Sequence, residues 1–235
     1  MQKQSSMKNL KIVPISTELW QVEDGGQFGE LLKLTNRKER EGEWAKACEM
    51  RFEGAQELLD VVGEDGGVRL DWNDASSRAA MEVLYRSAGD HLLVGEVEMA
   101  VALWESLLEL DEEDHFEAVV PLAFAYVEIE DYECLESALF DISTKSPEYS
   151  LLMLWAEYSR SGGIERDALR QLRTRHKAWY AEFVADEHPA DEAYMNDCRS
   201  ERPSQQTEAR EFWFATQSIW ERNKEFVEAL QKHKL

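Results

Sequence analysis

GEVEMAVALWESLLELDEED at 95–114, EDYECLESALFDISTKSP at 130–147 and GIERDALRQLRTRHKAW at 163–179 decide how this chain is read. Superposing Ala100, Leu135 and Ala168 aligns the three stretches at separations of 35 and 33 residues. In each, apolar residues recur at three- and four-residue steps, which lays a stripe along one face of a helix. Counting back from each alignment point meets an earlier helix, containing Leu84, Ala88 and His91, then Leu122, Ala123 and Tyr126, then Trp155, Ala156 and Ser159. The spacing predicts antiparallel helix pairs at 81–94/97–110, 115–128/132–144 and 149–161/164–180. One pair cannot bury its stripe alone, whereas stacked pairs bury it against one another.

Two helices in about 34 residues is the period of the tetratricopeptide repeat, and the chain resembles that family over residues 81–182. Gly95, Val97, Ala100, Trp104 and Leu107 match its pattern, as do Leu122, Ala123, Tyr126, Tyr132, Leu139 and Pro147. Trp155, Ala156, Gly163, Ala168 and Leu172 match it less fully. Glu112 stands where the first unit should have Pro, and Leu135 replaces the small residue at the second helix crossing. About three degenerate repeats are implied, in an all-α fold of antiparallel helix pairs stacked as a short solenoid with flanking capping helices. The resemblance also implies a concave groove lined from the first helix of each pair: Tyr85, Gly89 and Leu92, then Glu117, Val120, Phe124 and Val127, then Met153, Glu157 and Arg160. Family members that clamp a terminal carboxylate use Lys, Asn and Arg there. These positions are mostly aromatic, apolar or acidic, so tail clamping is not expected.

Outside the repeats, residues 1–26 read as an N-terminal extended arm or a single edge strand interrupted by Pro14. Residues 27–79 read as a helical segment and turn. A weak helix is expected near Gln27, and a better one runs from Gly42 to Val62, where Trp44, Ala47, Cys48, Arg51, Ala55, Leu58 and Leu59 recur at helical steps. GEDGGV at 63–68 stops it. The repeats occupy 80–183, and an acidic loop without apolar periodicity follows at 184–206. A C-terminal capping helix is expected within 207–235. There Phe212, Ile219 and Phe226, and likewise Trp213, Trp220 and Val227, repeat every seven residues. The alternative for that stripe is a detachable or dimerising helix.

The 235 residues carry 26 basic and 48 acidic groups, net −22. Residues 80–150 hold only Arg86 and Lys145 against 18 acids. That balance argues against a general nucleic-acid binder, which replaces phosphate counterions with Lys and Arg, and against docking on anionic lipid. No apolar run nears the roughly 18 residues that span a bilayer, and the N-terminus lacks the apolar core of a secretory signal. Cys48, Cys134 and Cys198 are odd in number and far apart, which suits a reducing cytoplasm and offers no zinc pair. The acidic middle is either a solvated surface or an electrostatic platform for a basic partner.

DEEDH at 111–115 gathers four carboxylates and a histidine, but no EF-hand spacing surrounds it, and a solvated turn opening the next helix is simpler. The five histidines form no HExxH, and no nucleophile elbow, P-loop or dinucleotide fingerprint occurs. Cys48 and Cys134 are expected as buried thiols and Trp104, Trp155 and Trp213 as core. Arg166, Arg170, Arg173, Arg175 and Lys177 make a locally basic helix, either paired internally or touching an acidic group. No catalytic, cofactor or metal residue is assigned. The expected function is a cytoplasmic, non-enzymatic module that binds a basic or amphipathic protein segment at Tyr85, Leu92, Glu117, Val120, Phe124, Val127, Met153 and Glu157. The alternatives are an enzyme or an enzyme's regulatory subunit with a site outside the repeats, and a structural protein that forms a homodimer through its last helix.

Overall fold

The computed structural model describes residues 7–63 and 67–233. It is mostly helical, with twelve helices and one two-stranded hairpin among the described residues. The chain divides into two compact units. The first comprises Met1–Leu92 and Glu96–Leu122, the second Leu93–Gly95 and Ala123–Leu235. Residues 64–66 of the expected turn lie outside the described residues.

The first unit opens with β1 (Lys11–Pro14) and β2 (Trp20–Glu23), antiparallel with Ile12 opposite Val22. The arm is therefore a hairpin rather than a single strand. Val22 is buried, and its N–H donates to Ser77 Oγ at 3.0 Å. Helix α1 (Gln27–Arg40) starts where Asp24 accepts hydrogen bonds from the Gly26 and Phe28 N–H groups, at 2.8 and 2.6 Å. It packs along α2 (Trp44–Val62). Ala47, Ala55 and Leu58 are buried as the periodicity predicts, but Trp44 is 59% exposed.

Arg51, on the same stripe, is a buried cation. Its guanidinium donates to Asp90 at 2.7 and 2.8 Å and to Glu39. A charge so removed from water persists only when paired and hydrogen-bonded. Helix α3 (Ala75–Val94) buries Ala80, Met81, Leu84, Ala88 and Leu92. Helix α4 (Val97–Leu110) buries Ala100, Trp104 and Leu107 and turns Glu98, Glu105 and Glu109 to solvent. An isolated parallel bridge joins Trp20 to Leu70, whose N–H donates to the Leu110 carbonyl at 2.8 Å.

Helix α5 (Val119–Glu128) begins in the first unit and continues in the second. There follow α6 (Tyr132–Ala138), α7 (Pro147–Ser161), α8 (Arg166–Arg175) and α9 (Lys177–Phe183). Asp131 caps α6 through the Cys134 N–H, and Ser146 caps α7 through the Tyr149 N–H, with Pro147 in the first turn where its missing donor costs nothing. Gly162, at φ 71°, ends α7 in the left-handed conformation that glycine adopts without strain. The expected helix at 132–144 is thus shorter, and the one at 164–180 is broken at His176. The 184–206 loop contains α10 (Glu192–Asp197), capped by Asp191.

The single C-terminal helix is divided as well. Helix α11 (Gln205–Arg222) stops at Asn223, and α12 (Lys224–Gln231) restarts from it. Both bury their stripes in an aromatic core of the second unit. Phe124 meets Trp155, Phe212 and Trp220 at ring-centroid distances of 5.8, 5.1 and 5.8 Å. Trp155 meets Trp220 at 5.1 Å, and Phe183 meets Trp213 and Trp220 at 5.1 and 5.3 Å. Such edge and offset contacts add roughly 0.5–1.5 kcal/mol per pair beyond the area buried. Arg222 clamps α11 to α5, donating to Glu128 at 2.5 and 2.9 Å.

Candidate functional site

The DEED loop and the start of α5 build an aromatic platform rimmed with acids, all within the first unit. Trp72 stacks on His115 at 4.2 Å with 5° between the planes, and meets Phe116 edge-on at 5.0 Å. Phe116 in turn stacks on Tyr85 of α3 at 5.3 Å. Trp72, Phe116 and Tyr85 are each half-buried, so each keeps part of a face or edge in water. The loop holds this ladder through its own carboxylates. Asp111, 5% exposed, accepts from the His115 N–H at 2.9 Å and meets His115 Nδ1 at 2.6 Å. Asp114 accepts from the Ala118 and Val119 N–H groups at 2.6 and 3.1 Å and so satisfies donors at the start of α5. Asp114 and Glu117 both adopt left-handed backbone, φ 48° and 53°, which costs a non-glycine residue about 1–3 kcal/mol and bends the loop sharply.

Acids predominate in this corner, bordered by Arg69, Arg86 and Arg78, whose guanidinium lies 5.7 Å from the Trp72 ring centroid. Burial pushes the Tyr85 hydroxyl above its ordinary range, and the carboxylates of Asp114 and Glu117 push it further, against Arg86. Burial also raises Asp114, against its two backbone hydrogen bonds, with Asp111 and Glu117 adding repulsion. Exposed Glu112, Glu113 and Glu117 rim the aromatic faces. Glu112 pairs with Arg69, and Glu113 lies 3.4 Å from His115 Nε2. The acids of the loop therefore serve as caps and rim. Among the described residues no group of three or more His, Cys, Asp or Glu side chains is placed to hold a metal ion.

The eight residues expected to line a groove fall into two groups. In the first unit Tyr85 and Val120 are half-buried, Glu117 is exposed, and Leu92 is core at 1% exposure. In the second unit Phe124 and Val127 are core, Met153 is half-buried and Glu157 exposed. Leu92, Phe124 and Val127 are therefore not available to a partner as the fold stands. Phe124 has a specific reason, because α11 covers it with Phe212 and Trp220.

Sequence reasoning placed Trp72 only as a pin for its loop and missed Phe116. They lie 44 positions apart, and their one local signal was an aromatic residue directly after DEEDH. His91 is half-buried, edge-on to Phe52 at 4.6 Å and 2.6 Å from Glu96. Cys48 and Cys134 are half-buried rather than enclosed. Helix α8 exposes Arg166, Arg170 and Arg175, with Arg170 paired to Asp167 at 2.8 Å.

No protein-family model, curated protein or solved structure matches this chain. No helix among the described residues is long and apolar enough to cross a membrane.

Proposed function

We propose that the chain is a non-enzymatic, cytoplasmic protein-interaction module of tetratricopeptide-like helix pairs. It captures a basic or amphipathic protein segment on the platform of Trp72, Phe116 and Tyr85, with Glu117 and Val120 beside it. The carrying observation is the juxtaposition of a carboxylate rim with half-exposed aromatics in mutual contact, Phe116 edge-on to Trp72 and stacked on Tyr85. Cationic side chains favour aromatic faces, and the more so where acids lower the local potential. Aromatic rings also supply the contact area that anchors protein interfaces. The excess of acids over residues 80–150 speeds encounter with a basic partner and opposes acidic ones.

Capture of the partner followed by zero-length carbodiimide coupling tests the placement. Lysines of the partner are expected to couple to Glu112, Glu113 and Glu117. Coupling confined to carboxylates of the 184–206 segment contradicts it.

A further inference from the structure

Arg78 of α3 lies over Trp72, its guanidinium carbon 5.7 Å from the ring centroid. His115 takes one face of that indole, stacked parallel at 4.2 Å, so the guanidinium stands at the other. We propose that Arg78 is an internal guest of the aromatic platform, seated where an arginine of the partner docks, and that the two exchange. The proposal rests on the platform being the docking surface, and it names the group received there: a guanidinium.

The seat is held from its far side. His115 is tied to the buried Asp111 through Nδ1 at 2.6 Å and through its backbone N–H at 2.9 Å. Phe116 meets the Trp72 ring edge-on at 5.0 Å. None of these contacts involves Arg78, so the indole keeps its place when Arg78 swings away.

The guest is held loosely. Arg78 is exposed, in the first turn of α3. Among the described residues its guanidinium makes one hydrogen bond, from Nη1 to the Trp72 carbonyl at 3.1 Å, and no salt bridge. An exposed ring contact and one neutral acceptor hold a long side chain only weakly against its rotamer entropy. Arg69 repeats the arrangement on the rim, where it pairs with Glu112 while the two side chains stay 46% and 61% exposed. Exposed pairs of this kind contribute little. An arginine-bearing segment therefore meets an aromatic seat and a carboxylate seat that replaceable groups of this chain fill. The seat suits a planar cation, because a guanidinium can lie flat on an indole and still donate in its own plane to the neighbouring carbonyl. An ammonium, whose three donors point to different sides, cannot do both as well.

The test follows the Trp72 indole N–H signal of the full-length protein, assigned by its loss in W72F, as N-ethylguanidinium or n-propylammonium is added. Titrations run in 1 M salt, where the screening length is about 3 Å and the mere loss of a charge is muted. R78A, with helicity checked by circular dichroism, is expected to bind N-ethylguanidinium about two- to fivefold tighter than the parent, the effect of removing an exposed cation–π competitor. The ammonium is expected to bind R78A more weakly than the guanidinium does. Equal titrations of parent and R78A overturn the proposal, and so does an ammonium that matches the guanidinium. The same two proteins are then compared on an amphipathic Arg/Leu helical peptide, which R78A is expected to bind several-fold tighter. Equal peptide binding overturns the exchange. Tighter guanidinium binding by R78A with no peptide bound by either protein supports the occupied seat and contradicts the docking reading on which its partner rests.

Discussion

Arg51 Nε lies 2.7 Å from Asp90 Oδ2, with the Arg51 side chain 2% exposed. Removing the guanidinium leaves Asp90 and Glu39 without their cation in a place water hardly reaches. Arg51→Ala is expected to cost roughly 3–5 kcal/mol, read as a fall in the urea midpoint. Arg51→Met combined with E39Q and D90N is expected to regain much of that loss, because no charge is then stranded. A triple variant as weak as Arg51→Ala would show that packing, not charge, governs the site.

Ala100 is fully buried and Trp104 is 2% exposed. Ala100→Leu is expected to overpack and cost roughly 1–3 kcal/mol, and Trp104→Ala to leave a cavity costing roughly 3–5 kcal/mol. Among the described residues the buried Trp104 indole N–H has no hydrogen-bond partner. Trp104→Phe therefore deletes no hydrogen bond and is expected to cost clearly less than Trp104→Ala. Paired urea titrations read the difference.

The succession of helices was legible in the sequence because apolar residues keep helical spacing through α3 to α8, with Gly162, Ser146 and Pro147 marking ends. The missed features share one cause, which is that partners distant in the chain decide them. Arg51 keeps the apolar register of α2, so periodicity alone could not show that Asp90 and Glu39 neutralise it. Phe124 reads as a groove residue from its repeat position, and only the approach of α11 makes it core. The heptad of Phe212, Ile219 and Phe226 runs straight through Asn223, so nothing periodic marks the break between α11 and α12. The hairpin was hidden because its strands are four residues each and Pro14 closes one of them.

Phe124→Ala is accordingly a stability variant. A cost of roughly 3–5 kcal/mol is expected from the cavity left among Trp155, Phe212 and Trp220. Thermal unfolding measures it. An unchanged midpoint would mean that α11 does not rest on Phe124.

Glu182 couples stability to pH. Burial acts to raise its carboxyl, but the hydrogen bonds and charges of Arg210 and His188 outweigh burial and hold it below its ordinary 4.5. A depressed carboxylate stabilises the fold above the unfolded-state value, and that stability is lost as pH falls through the folded one. The parent is therefore expected to lose stability as pH drops below about 4.5, whereas E182Q, weaker at neutral pH, is expected to show a shallower acid limb. Parallel acid limbs for parent and E182Q would contradict the assignment. Urea midpoints between pH 3 and 7 provide the comparison.

The most direct test of the proposed docking surface is surface plasmon resonance with an immobilised amphipathic Lys/Leu helical peptide and an acidic Glu/Leu control. Association is measured from low to physiological salt, where the screening length shortens to about 8 Å. The parent is expected to bind the basic peptide with a rate that falls steeply with salt and to ignore the acidic one. Tyr85→Ala and Phe116→Ala, checked for retained helicity, are expected to speed dissociation about tenfold or more, since truncating interface anchors acts chiefly there. Salt-independent association, or binding by both variants that equals the parent's, would contradict the placement of the site on the acid-rimmed aromatic platform.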